Sequence, residues 1–393
     1  MKKIISLFLC VAMMLSVLPM AVFAVGNSGD IVLPGDCFHS SLSYTNNGDD
    51  HSVYCNDCES TLRTEAHTYV DGTCVCGATE APAEPIYDGS LKFTTTAFTM
   101  GAELKFVFIM TKATATKYPT EYVDIVVNGA DGDTTTRFEL EDMVLFNNTI
   151  YRVEFTGIGA KMMGDTFTAT IHAQDANGNE IIGEPMSASI ASAILTQSRK
   201  SSASDVTKRL AADLLNYGAA AQLYFNYKTD SLVSALLTSE EQAYATQEVP
   251  AVTNTANKTG SGPITIVNPT VTLGSKVTLN LLVNVANYSG DKTKLTYKVK
   301  DAATDEVVYT GKVVQQTGTI YKCVYDDVGA KRMRTNVTIG VYDENDQLVS
   351  QVQTWSVESY IASSLASSSF NATTKDLLKA MIKYGDSAAA YLG

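Results

Sequence analysis

The chain has 393 residues, with 29 Lys and Arg against 42 Asp and Glu, a formal charge of -13, and 45% hydrophobic residues. This acidic balance lacks the Lys and Arg clusters that displace counterions, which excludes nucleic acid and anionic membranes as general partners. The length calls for two or three domains with cores of their own, and a mean hydropathy near zero excludes a polytopic membrane protein.

Residues 1–24 read as a secretory signal peptide: Lys2 and Lys3 supply the basic start, the run from Ile4 to Met20 the apolar stretch, and Val22-Phe23-Ala24 a small-residue cleavage site. Cys10 follows Leu9 rather than a small residue, which argues against a lipoprotein anchor. No later run approaches 18 apolar residues, so the mature chain is expected to carry no transmembrane segment. The expected product is secreted, either released or held at the cell surface non-covalently.

Residues 25–80 hold Cys37, His39, His51, Cys55, Cys58, His67, Cys74 and Cys76, eight soft or borderline donors within 40 positions. By count they make two tetrahedral zinc sites with a structural role, since Cys and His alone leave no open position for chemistry. Cys55-x2-Cys58 followed by Cys74-x-Cys76 approaches zinc-ribbon spacing, which leaves Cys37, His39, His51 and His67 for a second ion. Interleaved pairings are equally allowed. Gly72 and Gly77 flank the second knuckle and permit its tight turn. Disulfides are the competing reading in an exported chain. Five cysteines are an odd number for them, and they leave the histidines unexplained.

Residues 81–85 are a Pro-rich linker, 86–248 a first repeat, 249–263 a second linker and 264–393 a second repeat. The duplication is visible in Ile150-Tyr151 with Gly159-Ala160-Lys161 and Met163, which recurs as Ile320-Tyr321 with Gly329-Ala330-Lys331 and Met333. Thr99-Met100-Gly101 corresponds to Thr272-Leu273-Gly274, and Asn216-Tyr217-Gly218 to Lys383-Tyr384-Gly385. In each copy a period-2 pattern predicts strands, as in Phe167, Ala169, Ile171 and Ala173. Val277, Leu279, Leu281 and Val283 do the same, with Thr278, Asn280 and Asn284 on the solvent side. Asn128-Gly129 and Asp175-Ala176-Asn177-Gly178 read as hairpin turns.

Each copy ends in a helical stripe, Val206, Leu210, Leu214, Tyr217, Ala221 and Tyr224 in the first and Leu377, Met381, Tyr384, Ala388 and Tyr391 in the second. The expected fold is therefore mainly β (α+β). It comprises two tandem β-sandwich domains, each closed by a C-terminal helix on one sheet face, plus the small N-terminal Cys/His metal module. Tyr217 and Tyr384 read as core aromatics and Cys323 as a buried thiol.

No HExxH, GxSxG or Walker A pattern occurs. His172, the one histidine outside the metal window, reads as a solvent-facing strand residue, and no spacing pairs two acids as general acid and base. The single tryptophan, Trp355, has no aromatic counterpart near Pro185-Met186-Ser187. It is expected either to pack within the second copy or to form a sugar-binding platform.

The stretch from Ile150 through Tyr224 resembles a duplicated module of secreted proteins from anaerobic gut bacteria. Gly159-Ala160-Lys161-x-Met163, the Asp175-x-Asn177 hairpin and Asp213-Leu214-Leu215-Asn216-Tyr217-Gly218 carry that resemblance. His67-Thr68-Tyr69-x2-Gly72-x-Cys74-x-Cys76-Gly77 is similar to a short Cys/His segment that accompanies extracellular modules in the same organisms. What the resemblance implies is polysaccharide binding at the cell surface, which some proteins of related modular layout carry out; the function expected of this chain is a non-catalytic binding or adhesion protein of the envelope or extracellular space, whose partner is an extracellular protein. The alternative is a polysaccharide-binding protein, and a further alternative is an uncatalogued extracellular hydrolase.

Overall fold

A computed structural model describes residues 39–81, 84–118 and 120–393. The expected signal peptide and Cys37 lie outside the described residues. The chain divides into two compact units, Met1–Pro82 and Ala83–Gly393.

In the first unit, strands Leu42–Asn46, Asp50–Cys55 and Ser60–Ala66 form an antiparallel meander, and Tyr69–Val70 pairs with Thr73–Cys74 as a small hairpin. Asp71 and Gly72 both take positive φ, +51° and +73°, as the tight hairpin turn between those two strands requires. Among the described residues of this unit apolar burial is slight, with Val53, Cys55, Cys74 and Ala78 buried.

The second unit is mainly β, with several sheets in sandwich-like pairs and helices at the end of each half. In the first half one sheet runs in the order Gly132–Glu139, Thr120–Gly129, Phe167–Gln174, Glu180–Glu184 and Ile86–Lys92, with Met186–Ala188 also paired to Phe167–Gln174. Its partner sheet runs Val144–Phe146, Ile150–Ile158, Leu104–Thr111 and Thr95–Met100. The second half repeats the plan. Asn257–Thr259, Val352–Trp355, Val337–Tyr342, Thr296–Asp301 and Val307–Lys312 make one sheet, and Thr265–Leu273, Val277–Asn284, Ile320–Tyr325 and Val314–Thr317 the other. The strand Asn257–Thr259 lies inside the segment 249–263 that composition reads as a linker, and it bonds to Val352–Trp355.

Alternation places the core in Phe167–Gln174, where Phe167, Ala169, Ile171 and Ala173 are all buried. One position departs from it. Asn280, expected on the solvent face, is 4% exposed, and its amide donates to Thr272 Oγ1 at 2.9 Å, which satisfies the buried polar group.

Ile86–Lys92 joins its sheet by parallel pairing with Glu180–Glu184, whose register shifts after Gly183. A Cβ at Gly183 would fall on the Leu91 carbonyl oxygen, so the chains approach there only because the residue is glycine. Gly183→Ala is expected to cost about 3 kcal/mol through overpacking against backbone. Denaturant titration measures this, and a variant as stable as the parent would disprove the close approach.

Each long helix has a side-chain cap: Ser204 accepts from Thr207 N before Asp205–Phe225, and Asn371 accepts from Thr374 N before Ala372–Leu392. Their stripes bury Leu210, Leu214, Tyr217 and Ala221 in one helix and Leu377, Met381, Tyr384 and Ala388 in the other. The helices pack on the one-turn helices Ala160–Met162 and Ala330–Arg332 and on one another, with the rings of Tyr217 and Tyr384 stacked 5.4 Å apart. Small residues open the way for this, since a Cβ at Gly385 would lie 2.8 Å from Met333 Sδ and one at Gly218 3.0 Å from Met163 Sδ. Tyr217-Gly218 and Gly159-Ala160-Lys161-x-Met163, far apart in sequence, thus recur together because they touch.

Candidate metal centre

The strand Asp50–Cys55 sets the geometry of the first unit. Its burial alternates, so His51, Val53 and Cys55 share the inner face. Four extended residues span roughly 13 Å, too far for His51 and Cys55 to reach one ion. The strand therefore serves two groups, one at each end, with the fully buried Val53 between them.

At one end His51, His67, Cys74 and Cys76 bring four ligand atoms within 4.8 Å of one another. At the other, His39, Cys55 and Cys58 do the same. The arrangement is interleaved: the two cysteine knuckles serve different groups, and the histidines are divided between them. Cys37 lies outside the described residues, two positions before His39.

In the four-donor group Cys74 Sγ is 3.5 Å from His51 Nδ1, and Cys76 Sγ is 3.3 Å from His67 Nδ1. In the other group Cys58 Sγ is 3.6 Å from His39 Nδ1. An ion bonded to sulfur at ~2.3 Å and nitrogen at ~2.0 Å in tetrahedral geometry sets that edge at roughly 3.5 Å. These three sulfur–nitrogen edges match that spacing, and the remaining donors of each group lie within 4.8 Å.

The outer ring nitrogens are also committed. His67 Nε2 is 3.0 Å from the Gly48 carbonyl oxygen, which only accepts, so Nε2 carries the proton and Nδ1 keeps its lone pair toward Cys76. His51 Nε2 faces Glu65 Oε1 at 3.3 Å, and Arg63 Nε donates to the other Glu65 oxygen at 2.7 Å. That Arg63 bond is the leading cause of a Glu65 pKa below the usual carboxylate range, so Glu65 is an anion that accepts from Nε2. A carboxylate or carbonyl behind a ligating imidazole fixes both its tautomer and its ring plane.

Thiol acidity follows the same donors. The Cys76 N–H leads the groups that hold the Cys74 thiol down to about 6, His67 among them, and the Cys74 thiolate in turn raises His67. At Cys55 burial works against the thiolate, but the His39 contact and the N–H groups of Cys58 and Asp57 outweigh it and lower the pKa. Gly77, at φ +84°, closes the Cys74 knuckle by donating its N–H to the Cys74 carbonyl at 2.8 Å.

Asp57, Glu65 and Gly48 are the residues that sequence reasoning missed. Asp57 Oδ2 accepts from Ser40 N and Ser41 N at 3.0 Å and from Ser40 Oγ at 2.9 Å, tying the His39 segment to the Cys55–Cys58 loop. An acid inside a Cys-x2-Cys knuckle was the available signal for it. Gly48 acts through its carbonyl, for which a sequence carries no signal.

Trp355 stands elsewhere, 2% exposed in the core of the second half. A sugar platform needs an open ring face, and this ring has none, so the packing alternative accounts for the residue. Cys323 is fully buried, and burial pushes its thiol pKa up. His172 stacks on Tyr122 with centroids 4.9 Å apart and lies 3.2 Å from Glu180 Oε1.

No family model and no curated protein matches the chain. Among solved structures, the chicken CNTN1 FN1–FN3 domains are similar over 78% of this chain and 76% of that one, at 9% identity and a TM-score of 0.18. A likeness that loose carries no argument about fold, partner or activity. No helix of the described residues is long and apolar enough to cross a membrane.

Proposed function

We propose that the chain is a secreted, non-catalytic binding protein of the adhesion type, whose N-terminal module is held together by two structural zinc ions. The observation that carries the metal part is the spacing of sulfur and Nδ1 donors at 3.3–3.6 Å, with Nε2 of His51 and His67 engaged from behind. Soft thiolates with imidazoles favour zinc over magnesium or calcium, which take oxygen donors. Four protein donors at His51, His67, Cys74 and Cys76 fill a tetrahedral shell, which suits a structural ion better than a catalytic one. Cys37 is the fourth ligand we assign to the group of His39, Cys55 and Cys58.

Secretion rests on the leader-like residues 1–24, and the adhesion reading on paired sandwich modules without a catalytic constellation in the sequence. The polysaccharide alternative has lost its best residue, since Trp355 is interior. Native mass spectrometry of the reduced mature protein tests the metal assignment. The expected mass excess is that of about two zinc ions. A metal-free protein with its cysteines oxidised in pairs would overturn it.

A further inference from the structure

The residues that mark the duplication converge on the contact between the two copies, and they do so reciprocally. Gly159 of the first copy faces the backbone of Gly274 in the second, and Gly329, its equivalent, faces the backbone of Gly101. Tyr217 and Tyr384, again equivalent, stack on each other with ring planes 11° apart. Contacts that pair i with j and j with i define a two-fold, isologous interface, here closed within one chain.

Two features break the symmetry. Counting from the Gly101 and Gly274 anchors, Glu103 and Lys276 occupy the same position, and they form an antiparallel backbone bridge to each other. An equivalent pair bonded across the contact lies on the two-fold axis itself. Its two charges are opposite: the Lys276 ammonium pairs with Asp326 of its own copy at 3.3 Å, and the backbone bridge brings Glu103 in as a second, more distant anion. Like copies would set Glu against Glu or Lys against Lys at that point. The second feature is the buried carboxylate of Asp213, which accepts from Ser387 across the contact and from Thr246 N and Oγ1. The equivalent positions are Ala380 and Ala220, so this bond is made once only.

We propose that the motif-bearing face is a module-recognition surface: it accepts a second module of the same kind across a two-fold axis and, through Glu103 and Lys276, selects the unlike copy. This is independent of the metal and adhesion readings. Opposed charges at the axis make the wrong pairing unfavourable rather than merely weaker, which is how an interface gains selectivity from repulsion. The partner class is a module carrying the same glycine, methionine and Tyr-Gly elements with a charge opposite to that of its mate.

A protease site inserted between Glu248 and Val249, both exposed, lets the folded full-length chain be cut without unfolding it first. The two halves are expected to remain associated at micromolar concentration. Glu103→Lys or Lys276→Glu should each weaken that association about tenfold, since each loses an attraction and gains a like-charge contact. Lys276→Gln should fall between the parent and Lys276→Glu. The double reversal, Glu103→Lys with Lys276→Glu, should bind more tightly than either single reversal; it stays short of the parent because Glu at 276 also faces Asp326, which Lys276 pairs with at 3.3 Å. Rescue by the double reversal is not expected of residues whose role is only to fold their own copy. Halves that separate on cutting would overturn the recognition surface. Single reversals without effect, or a double reversal as weak as the singles, would overturn the selection.

Discussion

Chelation of the full-length protein is expected to unfold residues 39–81 while the strands of the larger unit keep their amide protection. The described residues of the small unit bury little apolar surface, whereas structural zinc in small modules contributes on the order of 10 kcal/mol. Cys74→Ser with Cys76→Ser should remove one ion and unfold the hairpin Tyr69–Cys74 with it. Hydrogen exchange read by mass spectrometry separates the two units directly. If residues 39–81 stay protected after chelation, the metal is not what folds them.

Acid should act in the same direction. The Cys74 thiol has a folded pKa depressed from 9.0 to about 6, so the stability linked to its thiolate is full above its unfolded value and lost as pH falls through about 6. Because ligation also needs the thiolate, zinc should be retained in neutral solution and released on acidification. A colorimetric chelator follows that release, and retention that strengthens toward acid would contradict the assignment.

Trp355→Ala is expected to destabilise the second half by about 3–5 kcal/mol, the cost of emptying the space of a fully buried aromatic. Trp355→Phe should cost less. The indole Nε1 has no hydrogen-bond partner among the described residues, so removing it breaks no bond. As the single tryptophan, it also reports its own surroundings: emission should be blue-shifted and indifferent to added starch or xylan oligosaccharides. An Ala variant as stable as the parent but deficient in sugar binding would reverse this conclusion.

Several features were legible in the sequence because they are local or countable. The period-2 runs around Phe167–Gln174 and the 3- to 4-residue stripes ending in Tyr217 and Tyr384 locate strands and helices, since backbone geometry alone fixes which neighbours share a face. Eight Cys and His residues within 40 positions announce groups that could hold a metal, and the recurrence of Gly159-Ala160-Lys161-x-Met163 announces two copies of one fold. What could not be read depends on distances across the chain. Composition allows several groupings of the Cys and His donors, and it is the extension of Asp50–Cys55 that sends His51 to one group and Cys55 to the other. Alternation in Val277–Asn284 cannot show that Thr272 waits to satisfy a buried Asn280. The amphipathic stripe of Asp205–Phe225 asks for an apolar partner without naming it; the tertiary structure supplies Ala372–Leu392, because glycine at 218 and 385 lets each helix close on its own copy's methionine and leaves Tyr217 to meet Tyr384.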